Sequence, residues 1–439
     1  QGHNSCARAV KEYFDRQQVE CTVVDAFCFV SEKFARFMGE GHSFMYRHIP
    51  ELFRWGYGYS KKHPALFKEK TLIYKILTAG SLRMYQYIAK EKFDTVICTH
   101  ILSAIMLTHM QKIFPLALKT AMIMTDYTCY PGMKATDLQR YFIPDGSLAE
   151  EFAACGIPGE KISAARIPVC RGFYKMIEKA DAKRLLNVRA EHRHLLVMCG
   201  SMGCGPIERM VDRLYENLSE DTEVSVICGT NERLRKKLER KYRDADQIHI
   251  EGYTQQMPLY MDSADLCLMK PGGLSVTEAA VKNLPMAFIN AVAGCEQYNI
   301  EYFVKKGGAV ASDSPEELTD QCIRILQSER KLQGMENALR EYRREEGAKQ
   351  IFETMELLNM KKITGRTRLM WKEKGTDYRR FRLDRLNTLE FKHLKYLFFW
   401  PVYGFFFLLV ERLWIRESYT PVHCPLDDQI PFCEYFLIP

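Results

Sequence analysis

Residues 264–278 constrain the fold of this chain more than any other stretch, because they combine a buried strand, a tight turn and a helix start. Residues 264–269 form a short apolar run that is typical of a strand buried in a parallel sheet. A Pro-Gly-Gly turn begins at Pro271, and its glycines let the backbone turn tightly. Residues 276–282 contain helix formers and no breaker. This order predicts one unit of an α/β fold with a parallel sheet.

The helix start after this turn has the chemistry of a nucleotide site. The first backbone N–H groups of a helix have no partner within the helix, so they favour an anion such as a phosphate. Glu278, about one turn further on, cannot help a phosphate but can accept hydrogen bonds from ribose hydroxyls. Together these features predict a nucleotide-sugar site, although an ordinary strand–turn–helix connection also explains the glycines alone. The candidate donor-binding residues of this stretch are Pro271, Gly272, Gly273, Leu274, Ser275, Thr277 and Glu278.

The string from Lys270 to Glu278 is Lys-Pro-Gly-Gly-Leu-Ser-Val-Thr-Glu. It resembles the donor-site signature of glycosyltransferase family 28, above all that of the monogalactosyldiacylglycerol synthases and the processive diacylglycerol glucosyltransferases. The resemblance covers residues 1–360 and implies two Rossmann-like domains, residues 1–169 and 170–360, that face one another in a glycosyltransferase B arrangement. It also implies a UDP-sugar donor, a diacylglycerol-type acceptor and inversion at the anomeric carbon.

The second domain alternates strands and helices, as a doubly wound parallel sheet does. Several of its loops should lie at the carboxyl ends of strands, the edge where such sheets bind ligands. Residues 200–205 form a Gly-rich turn that suits a phosphate and resembles the family's Gly-Gly-Ser-x-Gly loop. The resemblance also implies that residues 252–253 present backbone to the nucleotide base. The candidate donor-binding residues of these loops are Gly200, Ser201, Gly203, Gly229 and Tyr253.

Residues 293–299, Ala-Gly-Cys-Glu-Gln-Tyr-Asn, resemble the family segment Pro-Gly-Gln-Glu-x-x-Asn, whose polar side chains reach the donor sugar. Glu296 and Asn299 match and keep the hydrogen-bonding capacity that a hexose needs. Cys295 stands in the place of the family's Gln, so the identity of the hexose stays open. Gln297 is the candidate substitute for that amide. The alternative is that these residues are ordinary polar residues of a helix N-terminus.

The first residues predict a Gly-rich turn that enters a helix, with a strand following at residues 21–25. Because a helix precedes this strand, we expect a first strand upstream of residue 1. The Gly2-His3 pair resembles the family's amino-terminal Gly-His loop, which faces the acceptor site. The resemblance places His3 where an imidazole, which titrates near neutrality, can remove the proton of the attacking hydroxyl. A surface histidine is the alternative.

Asp126 follows a predicted strand at residues 119–124, which places it at the ligand-binding edge of the first sheet. It is a candidate catalytic residue that binds acceptor hydroxyls or orients the base, and a capping Asp in a turn is the alternative. The Thr-Asp-Tyr string around it resembles a family segment in which a His commonly follows three or four residues later. Cys129 and Tyr130 stand in that place here.

Residues 27–92 are rich in aromatic and basic side chains. Most of these should belong to helix faces packed on the core; the alternative is an amphipathic surface that docks on anionic lipid, which the resemblance favours. Gly56 and Gly58 predict a mobile loop rather than a helix interior. The candidate residues for the acceptor and the membrane are Trp55, Tyr57 and Tyr59.

The formal net charge of +7 is concentrated near the carboxyl end, because residues 361–395 hold 12 Lys/Arg against 4 Asp/Glu. Residues 396–410 are apolar and uncharged; this run is shorter than the ~20 residues that span a bilayer, but flanking aromatic and basic side chains extend it toward that length. A buried core helix is the alternative. We therefore expect residues 361–439 to be a basic juxtamembrane segment and a truncated membrane module that anchors the protein at the cytoplasmic face of the cell membrane. This end resembles the start of the phosphatidic-acid-phosphatase type 2-like proteins, without their catalytic motifs, and both chain ends look like cuts in a longer protein.

The 15 cysteines are scattered singly without zinc-like spacing, which indicates reduced thiols. No DxD metal motif follows a predicted strand, so we expect no metal and no cofactor besides the UDP-sugar substrate, with helix amides offsetting the charge of the diphosphate. The expected partners are a diacylglycerol-type lipid and an anionic membrane surface, and no nucleic acid. Two alternatives stay open: a family 28 transferase that uses a polyprenyl-linked acceptor, and a catalytically degenerate regulatory module of a membrane protein.

Overall fold

Two six-stranded sheets organise the chain, the second formed by residues 193–312 and the first by strands within residues 22–164 together with one strand at residues 434–438. The protein is described by a computed structural model over residues 2–198, 200, 203, 205–289, 294–362 and 434–438. Within these residues, helices connect most pairs of successive strands in both sheets. The predicted fold class, α/β with two Rossmann-like domains, is therefore confirmed.

The helices of the first half are α1 Gly2–Arg16, α2 Glu32–His48, α3 Pro50–Lys62, α4 Leu72–Leu77, α5 Ser81–Glu91, α6 Ile101–Ile113 and α7 Ala149–Ala154. Its strands are β1 Thr22–Asp25, β2 Thr95–Cys98, β3 Lys119–Ile123, β4 Arg140–Ile143 and β5 Ile162–Ala164.

The helices of the second half are α8 Lys179–Leu185, α9 Ile207–Asn217, α10 Glu232–Lys241, α11 Met257–Ser263, α12 Gly273–Val281, α13 Gly294–Lys306, α14 Pro315–Leu326, α15 Glu329–Leu339 and α16 Gly347–Lys362. Its strands are β6 Arg193–Met198, β7 Thr222–Ile227, β8 Ile248–Glu251, β9 Leu266–Met269, β10 Met286–Ile289 and β11 Ala309–Ser312; β12 Glu434–Ile438 follows near the end of the chain.

The second sheet is parallel throughout, with the strand order β11-β10-β9-β6-β7-β8. In it β6 lies beside β9 and pairs Met198 with Met269, so the loops that follow these two strands leave the sheet side by side. In the first sheet, β2, β3, β4 and β5 are parallel neighbours. Each sheet therefore presents several loops at the carboxyl edge of its strands, where such folds bind ligands.

The position between β1 and β2 in the first sheet is occupied by β12, which is antiparallel to both neighbours. We expected a strand from before residue 1 at this end of the domain, and in this structure Glu434–Ile438 pairs there. The pairing satisfies backbone N–H and C=O groups that two facing strand edges would otherwise expose. Five residues of the predicted membrane module thus belong to the first sheet.

Burial on both faces explains why the central strands are so apolar. Every residue of β2, β3, β9 and β10 is buried. Among the helices, α9 buries Ile207, Met210, Val211 and Leu214, which recur at the spacing of one helix face. Each such side chain stabilises the fold by about 1.5–3 kcal/mol relative to an exposed position.

The prediction of a mobile loop at Gly56 and Gly58 is wrong, because both residues lie inside α3. Pro50 and Glu51 in the first turn and lysines in the last turn favour this helix. No atom lies within 4 Å of a Cβ built at either glycine, so neither is required for a close contact. Contacts of α3 with α2 and α13 outweigh the cost of about 1 kcal/mol that each helical glycine imposes.

Within the described ranges, no helix combines the length and the apolar character that a membrane crossing requires. The predicted membrane segment at residues 396–410 lies outside the described residues. So does the basic stretch before it, except for residues 361–362 at the end of α16.

Candidate functional site

The Gly-rich turn after β6 packs against the turn after β7. Gly203 has a φ of +53°, and a Cβ on it would lie 2.9 Å from the Asn231 Cβ and overlap a backbone carbonyl of the neighbouring turn. The Asn231 Nδ2 donates to the Gly203 carbonyl oxygen at 3.0 Å. Gly200 and Gly229 also have positive φ, which favours glycine there. The structure therefore brings together Gly200, Gly203 and Gly229, whereas Ser201 lies outside the described residues.

The N-terminus of α12 contacts the loop that follows β3 in the first domain. A Cβ on Gly273 would lie 2.7 Å from the Asp126 Oδ1 and overlap the Thr125 carbonyl oxygen. The Gly273 N–H donates to the Asp126 carboxylate, so an anionic group already caps this helix. Leu274 and Ser275 supply the next two N–H groups of the turn. The predicted phosphate site is thus shared with a carboxylate of the first domain.

Asn299, which we predicted to orient the donor sugar, is fully buried at this junction. Its Nδ2 donates to the Asp126 Oδ1 and to the Pro271 carbonyl oxygen, both at 2.8 Å. Its Oδ1 accepts from the Tyr127 backbone N–H at 2.8 Å. Both amide hydrogens are therefore used within the protein, and Asn299 links the loop after β3 to the turn before α12.

His3 lies in the first turn of α1, beside the same loop. Its Nδ1 is 2.9 Å from the Thr99 carbonyl oxygen and 3.0 Å from the Thr125 Oγ1. Because a carbonyl oxygen only accepts, a neutral imidazole carries its proton on Nδ1 and its lone pair on Nε2. A Cβ on Gly2 would lie 3.8 Å from the Leu274 Cβ, so the predicted base and the donor-site helix meet at one place.

Asp126 is joined to this region by hydrogen bonds through Tyr130 and Thr125. The Tyr130 hydroxyl donates to the Asp126 Oδ2 at 2.7 Å, and it lies 2.9 Å from the Thr125 Oγ1. Burial raises the pKa of Asp126 to about 6, while hydrogen bonds from Asn299 and Tyr130 favour the ionised form. A carboxyl group that titrates near neutrality at such a junction suits proton chemistry.

Glu278 is half-buried in α12, one turn after Leu274. Burial raises the pKa of Glu278 to about 8, so the side chain is largely protonated at pH 7. In the described part of the chain, no side chain donates a hydrogen bond to it. A ligand that donates hydrogen bonds to this carboxyl group would therefore favour its ionised form.

Thr277 and Glu296 lie on the inner side of their helices. Thr277 is fully buried, and its hydroxyl donates to the Gly273 carbonyl oxygen at 2.7 Å and contacts the Tyr127 hydroxyl at 3.0 Å. Glu296 is buried near Asp126 and raises the pKa of that carboxyl group further. Thr277 thus joins the two domains, and Glu296 adds negative charge at the junction.

Two predicted donor residues lie away from this junction. Gln297 is exposed, and its amide donates to Glu301 at 3.2 Å along the outer surface of α13. Its role as a substitute for the family's Gln stays a prediction. Tyr253 is 64% exposed after β8, the edge strand of the second sheet. Its role at the nucleotide base stays a prediction.

The three aromatic residues predicted for the acceptor and the membrane separate into two groups. Tyr57 packs inward against α13, because a Cβ on Gly294 would overlap the edge of its ring. Its hydroxyl is buried, and within the described residues it has no hydrogen-bond partner. Trp55 is 49% exposed and stacks on Tyr59 with 5.4 Å between the ring centroids. Of the three rings, Trp55 is the exposed one, whereas Tyr57 and Tyr59 are half-buried.

Sequence reasoning missed the hydrogen-bonding roles of Thr125 and Tyr130. The one signal in the sequence was that Tyr130 stands near the place of a polar family residue. It also missed that Asn299 serves as a link between domains, since its spacing alone does not reveal which groups meet its amide. Within the described residues, no group of three or more His, Cys, Asp or Glu side chains has an arrangement that could hold a metal ion.

Comparison with protein families finds a match for each half of the chain. Residues 3–169 match the family model described as monogalactosyldiacylglycerol (MGDG) synthase. Residues 194–352 match the model described as the glycosyltransferase family 28 C-terminal domain. The two matches follow one another along the chain and correspond to the two sheets.

Curated relatives include the processive diacylglycerol beta-glucosyltransferase of Staphylococcus haemolyticus (strain JCSC1435), which is 27% identical over 263 residues. That match covers 60% of this chain and 66% of the relative. The enzyme of the same name from Staphylococcus saprophyticus is 28% identical over 261 residues, which cover 59% of this chain and 66% of the relative. The chain thus spans just under two thirds of the length of these relatives.

A solved structure with the same fold is Acinetobacter baumannii MurG, with a TM-score of 0.50, 15% sequence identity, and coverage of 65% of this chain and 80% of that chain. At this identity the likeness concerns the fold alone, which is that of two Rossmann-like domains. With an MGDG synthase domain followed by a family 28 C-terminal domain on this fold, the chain belongs to glycosyltransferase family 28.

Proposed function

We propose that this protein transfers a hexose from a UDP-sugar to the hydroxyl of diacylglycerol or a similar lipid, with inversion at the anomeric carbon. The observation that carries this proposal is one junction at which Gly2, next to His3, lies against Leu274 of α12. At the same junction the His3 Nδ1 lies 3.0 Å from the Oγ1 of Thr125, whose carbonyl oxygen meets Gly273. The similarity to processive diacylglycerol beta-glucosyltransferases supports the choice of donor and acceptor class.

In the proposed reaction, the lipid hydroxyl attacks the anomeric carbon while the bond from that carbon to UDP breaks. The His3 Nε2 receives the hydroxyl proton, for which the Nδ1–H tautomer is suited. The backbone N–H groups of Leu274 and Ser275 offset the charge of the leaving diphosphate. Glu278 accepts hydrogen bonds from the ribose, and the proposal includes no metal and no resident cofactor.

The outer face of α3 is the proposed contact with an anionic membrane. Trp55 is exposed and stacked on Tyr59, and Lys62 in the last turn of the same helix is exposed as well. Lys61 instead contacts the Tyr298 ring of α13, with 4.2 Å between its Nζ and the ring centroid. An apolar aromatic edge beside basic groups suits the headgroup region of a bilayer. Residues 361–395 would add attraction to the cytoplasmic face through their positive charge.

The Trp55→Glu substitution should lower the fraction of protein that sediments with anionic vesicles, and an unchanged bound fraction would contradict this contact.

The test of the function uses the full-length protein in liposomes that contain diacylglycerol. Radiolabelled UDP-glucose and UDP-galactose are supplied separately, and the lipid fraction is examined for label, with His3→Ala and Glu278→Ala as comparisons. Labelled glycolipid that is lost in both variants would support the proposal and identify the sugar. Absence of label from both donors, with UDP still bound, would refute the diacylglycerol assignment; a polyprenyl phosphate acceptor is then the next substrate to supply.

Binding of UDP-glucose near pH 7 should release about one proton from Glu278. The pKa of this group in the free protein is about 8, and hydrogen bonds from ribose hydroxyls favour the ionised form. The carboxyl group is therefore protonated before binding and ionised after it. Calorimetry in two buffers of different ionisation enthalpy measures the release, which should vanish at pH 9, where the free carboxyl group is already mostly ionised.

Glu278→Gln is the matched control for this measurement, because it keeps the shape of the side chain and removes its titration. We expect weaker binding without proton release in this variant. The same release in Glu278→Gln as in the unchanged protein would show that another group is responsible. No release in the unchanged protein would contradict the ribose contact.

Tyr57→Phe should stabilise the fold and impair transfer at the same time. A buried hydroxyl without a hydrogen bond costs about 1–3 kcal/mol, so its removal should raise the free energy of unfolding by about 1 kcal/mol. The hydroxyl lies near Asp126 and Cys295, where we expect it to meet a substrate hydroxyl, so kcat/KM should fall about tenfold. Chemical unfolding and the glycolipid assay measure the two effects.

Tyr141→Phe is the control for Tyr57→Phe, since the Tyr141 hydroxyl accepts from the Leu138 backbone N–H at 2.9 Å and bonds Thr136 at 3.0 Å. It should destabilise the fold by about 1 kcal/mol and leave transfer unchanged. Destabilisation by Tyr57→Phe, or full activity in that variant, would refute the role given to the Tyr57 hydroxyl.

A further inference from the structure

A continuous line of hydrogen bonds joins His3 to Asp126 through two hydroxyl groups. The His3 Nδ1 lies 3.0 Å from the Thr125 Oγ1, which lies 2.9 Å from the Tyr130 hydroxyl. Tyr130 lies 2.7 Å from the Asp126 Oδ2. A carboxylate only accepts, so Tyr130 donates to Asp126, Thr125 donates to Tyr130, and the Nδ1–H is shared between Thr125 and the Thr99 carbonyl oxygen. Every donor in the line points toward the carboxylate.

This line is held in place on both sides. Thr125 is 4% exposed and Tyr130 is 9% exposed, and the Thr125 backbone N–H donates to the Tyr130 hydroxyl at 3.3 Å. The Asn299 Nδ2 donates to the Asp126 Oδ1 at 2.8 Å, and the Gly273 N–H donates to the same carboxylate. Because these groups are shielded from water, each hydrogen bond polarises the next.

We propose that Thr125 and Tyr130 are positioning residues that couple the charge of Asp126 to the imidazole of His3. This inference rests on the proposed function, because it concerns His3 as the general base. When the His3 Nε2 takes the proton of the lipid hydroxyl, the ring gains a positive charge and its Nδ1–H becomes a stronger donor. The line carries this polarisation to the negative carboxylate, which stabilises the protonated ring although Asp126 does not touch it.

The atoms balance without a co-reactant. The hydroxyl proton ends on the His3 Nε2, the acceptor oxygen bonds to the anomeric carbon, and the electron pair of the broken bond stays on UDP. The other titratable groups that face Asp126 are Glu296, Cys295 and Tyr57, and the His100 ring lies 4.6 Å from the His3 ring. Glu296 opposes ionisation of Asp126, and the hydrogen bonds to the carboxylate favour it.

The test is Tyr130→Phe, which removes the hydroxyl group that donates to Asp126 and keeps the aromatic ring. With UDP-glucose and diacylglycerol liposomes, we expect kcat to fall about tenfold, with KM for UDP-glucose unchanged. The acid limb of the kcat–pH profile should move to higher pH, because the hydrogen bond from Tyr130 lowers the pKa of Asp126 and is lost. Thr125→Val interrupts the same line at another link and should lower kcat similarly. Tyr141→Phe should leave both kcat and the profile unchanged.

A second readout does not depend on turnover. The nitrogen-15 signals of the His3 ring, followed by NMR against pH, should show a step as Asp126 ionises near pH 6. That step should be lost in Tyr130→Phe and Thr125→Val, whose folding is checked by thermal unfolding. If the unchanged protein transfers no sugar, the proposed function fails and the NMR titration alone decides the coupling. A His3 titration in Tyr130→Phe that matches the unchanged protein, or a lower kcat with an unmoved pH profile, would overturn the inference.

Discussion

Replacing His3 with alanine should lower kcat for sugar transfer by a factor of about 10²–10⁴, the usual contribution of a general base. The Nδ1 of His3 is held by the Thr99 carbonyl oxygen and the Thr125 hydroxyl, so the lone pair on Nε2 is the one that receives a proton. Affinity for UDP should change little, because the donor contacts belong to α12. Glycolipid synthesis and UDP calorimetry on the same preparation separate the two quantities.

Two comparisons make this result specific to the imidazole. Added imidazole should restore part of the activity of His3→Ala, because it can occupy the space that the side chain leaves. His249→Ala changes a histidine that bonds Glu223 in the second domain, and it should leave kcat unchanged. If His3→Ala keeps at least half of the original kcat, His3 is not the base.

Gly273→Ala should disrupt the junction between the two domains by adding one methyl group. Its Cβ would overlap the Thr125 carbonyl oxygen and lie 2.7 Å from the Asp126 Oδ1. The loop after β3 must move, so we expect the free energy of unfolding to fall by about 1–3 kcal/mol. The same movement displaces His3's partner Thr125, and kcat/KM should fall about 100-fold, as small misplacements of catalytic groups do.

Gly334→Ala is the matched control, since it places the same methyl group in the helix α15 where no atom lies within 4 Å. That variant should be more stable by up to about 1 kcal/mol, the difference in helix propensity, with unchanged transfer. Denaturant unfolding and the liposome assay decide both comparisons. Equal stability and activity in Gly273→Ala and the unchanged protein would refute the close contact at this junction.

Much of the fold and part of the site were predictable because they depend on local patterns. The apolar strands and the turns that follow them predict a parallel sheet. Because neighbouring parallel strands end at the same edge, Gly203, Gly229 and Gly273 then lie in neighbouring loops. The same rule placed Asp126 at the corresponding edge of the first sheet. His3 at the start of α1 was predictable from the Gly-His resemblance, and the structure brings it to this edge.

Other predictions failed or fell short where the outcome depended on contacts between distant segments. Gly56 and Gly58 lie in α3 because the helix packs on α2 and α13, which outweighs their low helix propensity. Gln297 was the candidate substitute for the family's Gln, and it is exposed on α13, where successive helix residues point in different directions; its role at the sugar stays a prediction. Tyr57 lies inward while its neighbour Trp55 lies outward, for the same reason.

By itself, the sequence determined which segments become strands, turns and helices, and which chemical groups stand at the ends of those strands. Hydrophobic periodicity and the special conformations of glycine depend on a few consecutive residues, so they can be recognised in the amino-acid sequence. Only the tertiary structure decided that the Asn299 amide donates both of its hydrogens, one to Asp126 and one to Pro271. Only the structure, too, shows that the Tyr130 hydroxyl links Asp126 to Thr125. The bond from Asn299 to Asp126 joins residues 173 positions apart, so the packing of the two domains selects it. The Tyr130 bonds join residues four and five positions apart, and they depend on the irregular path of the loop after β3, which no hydrophobic period describes.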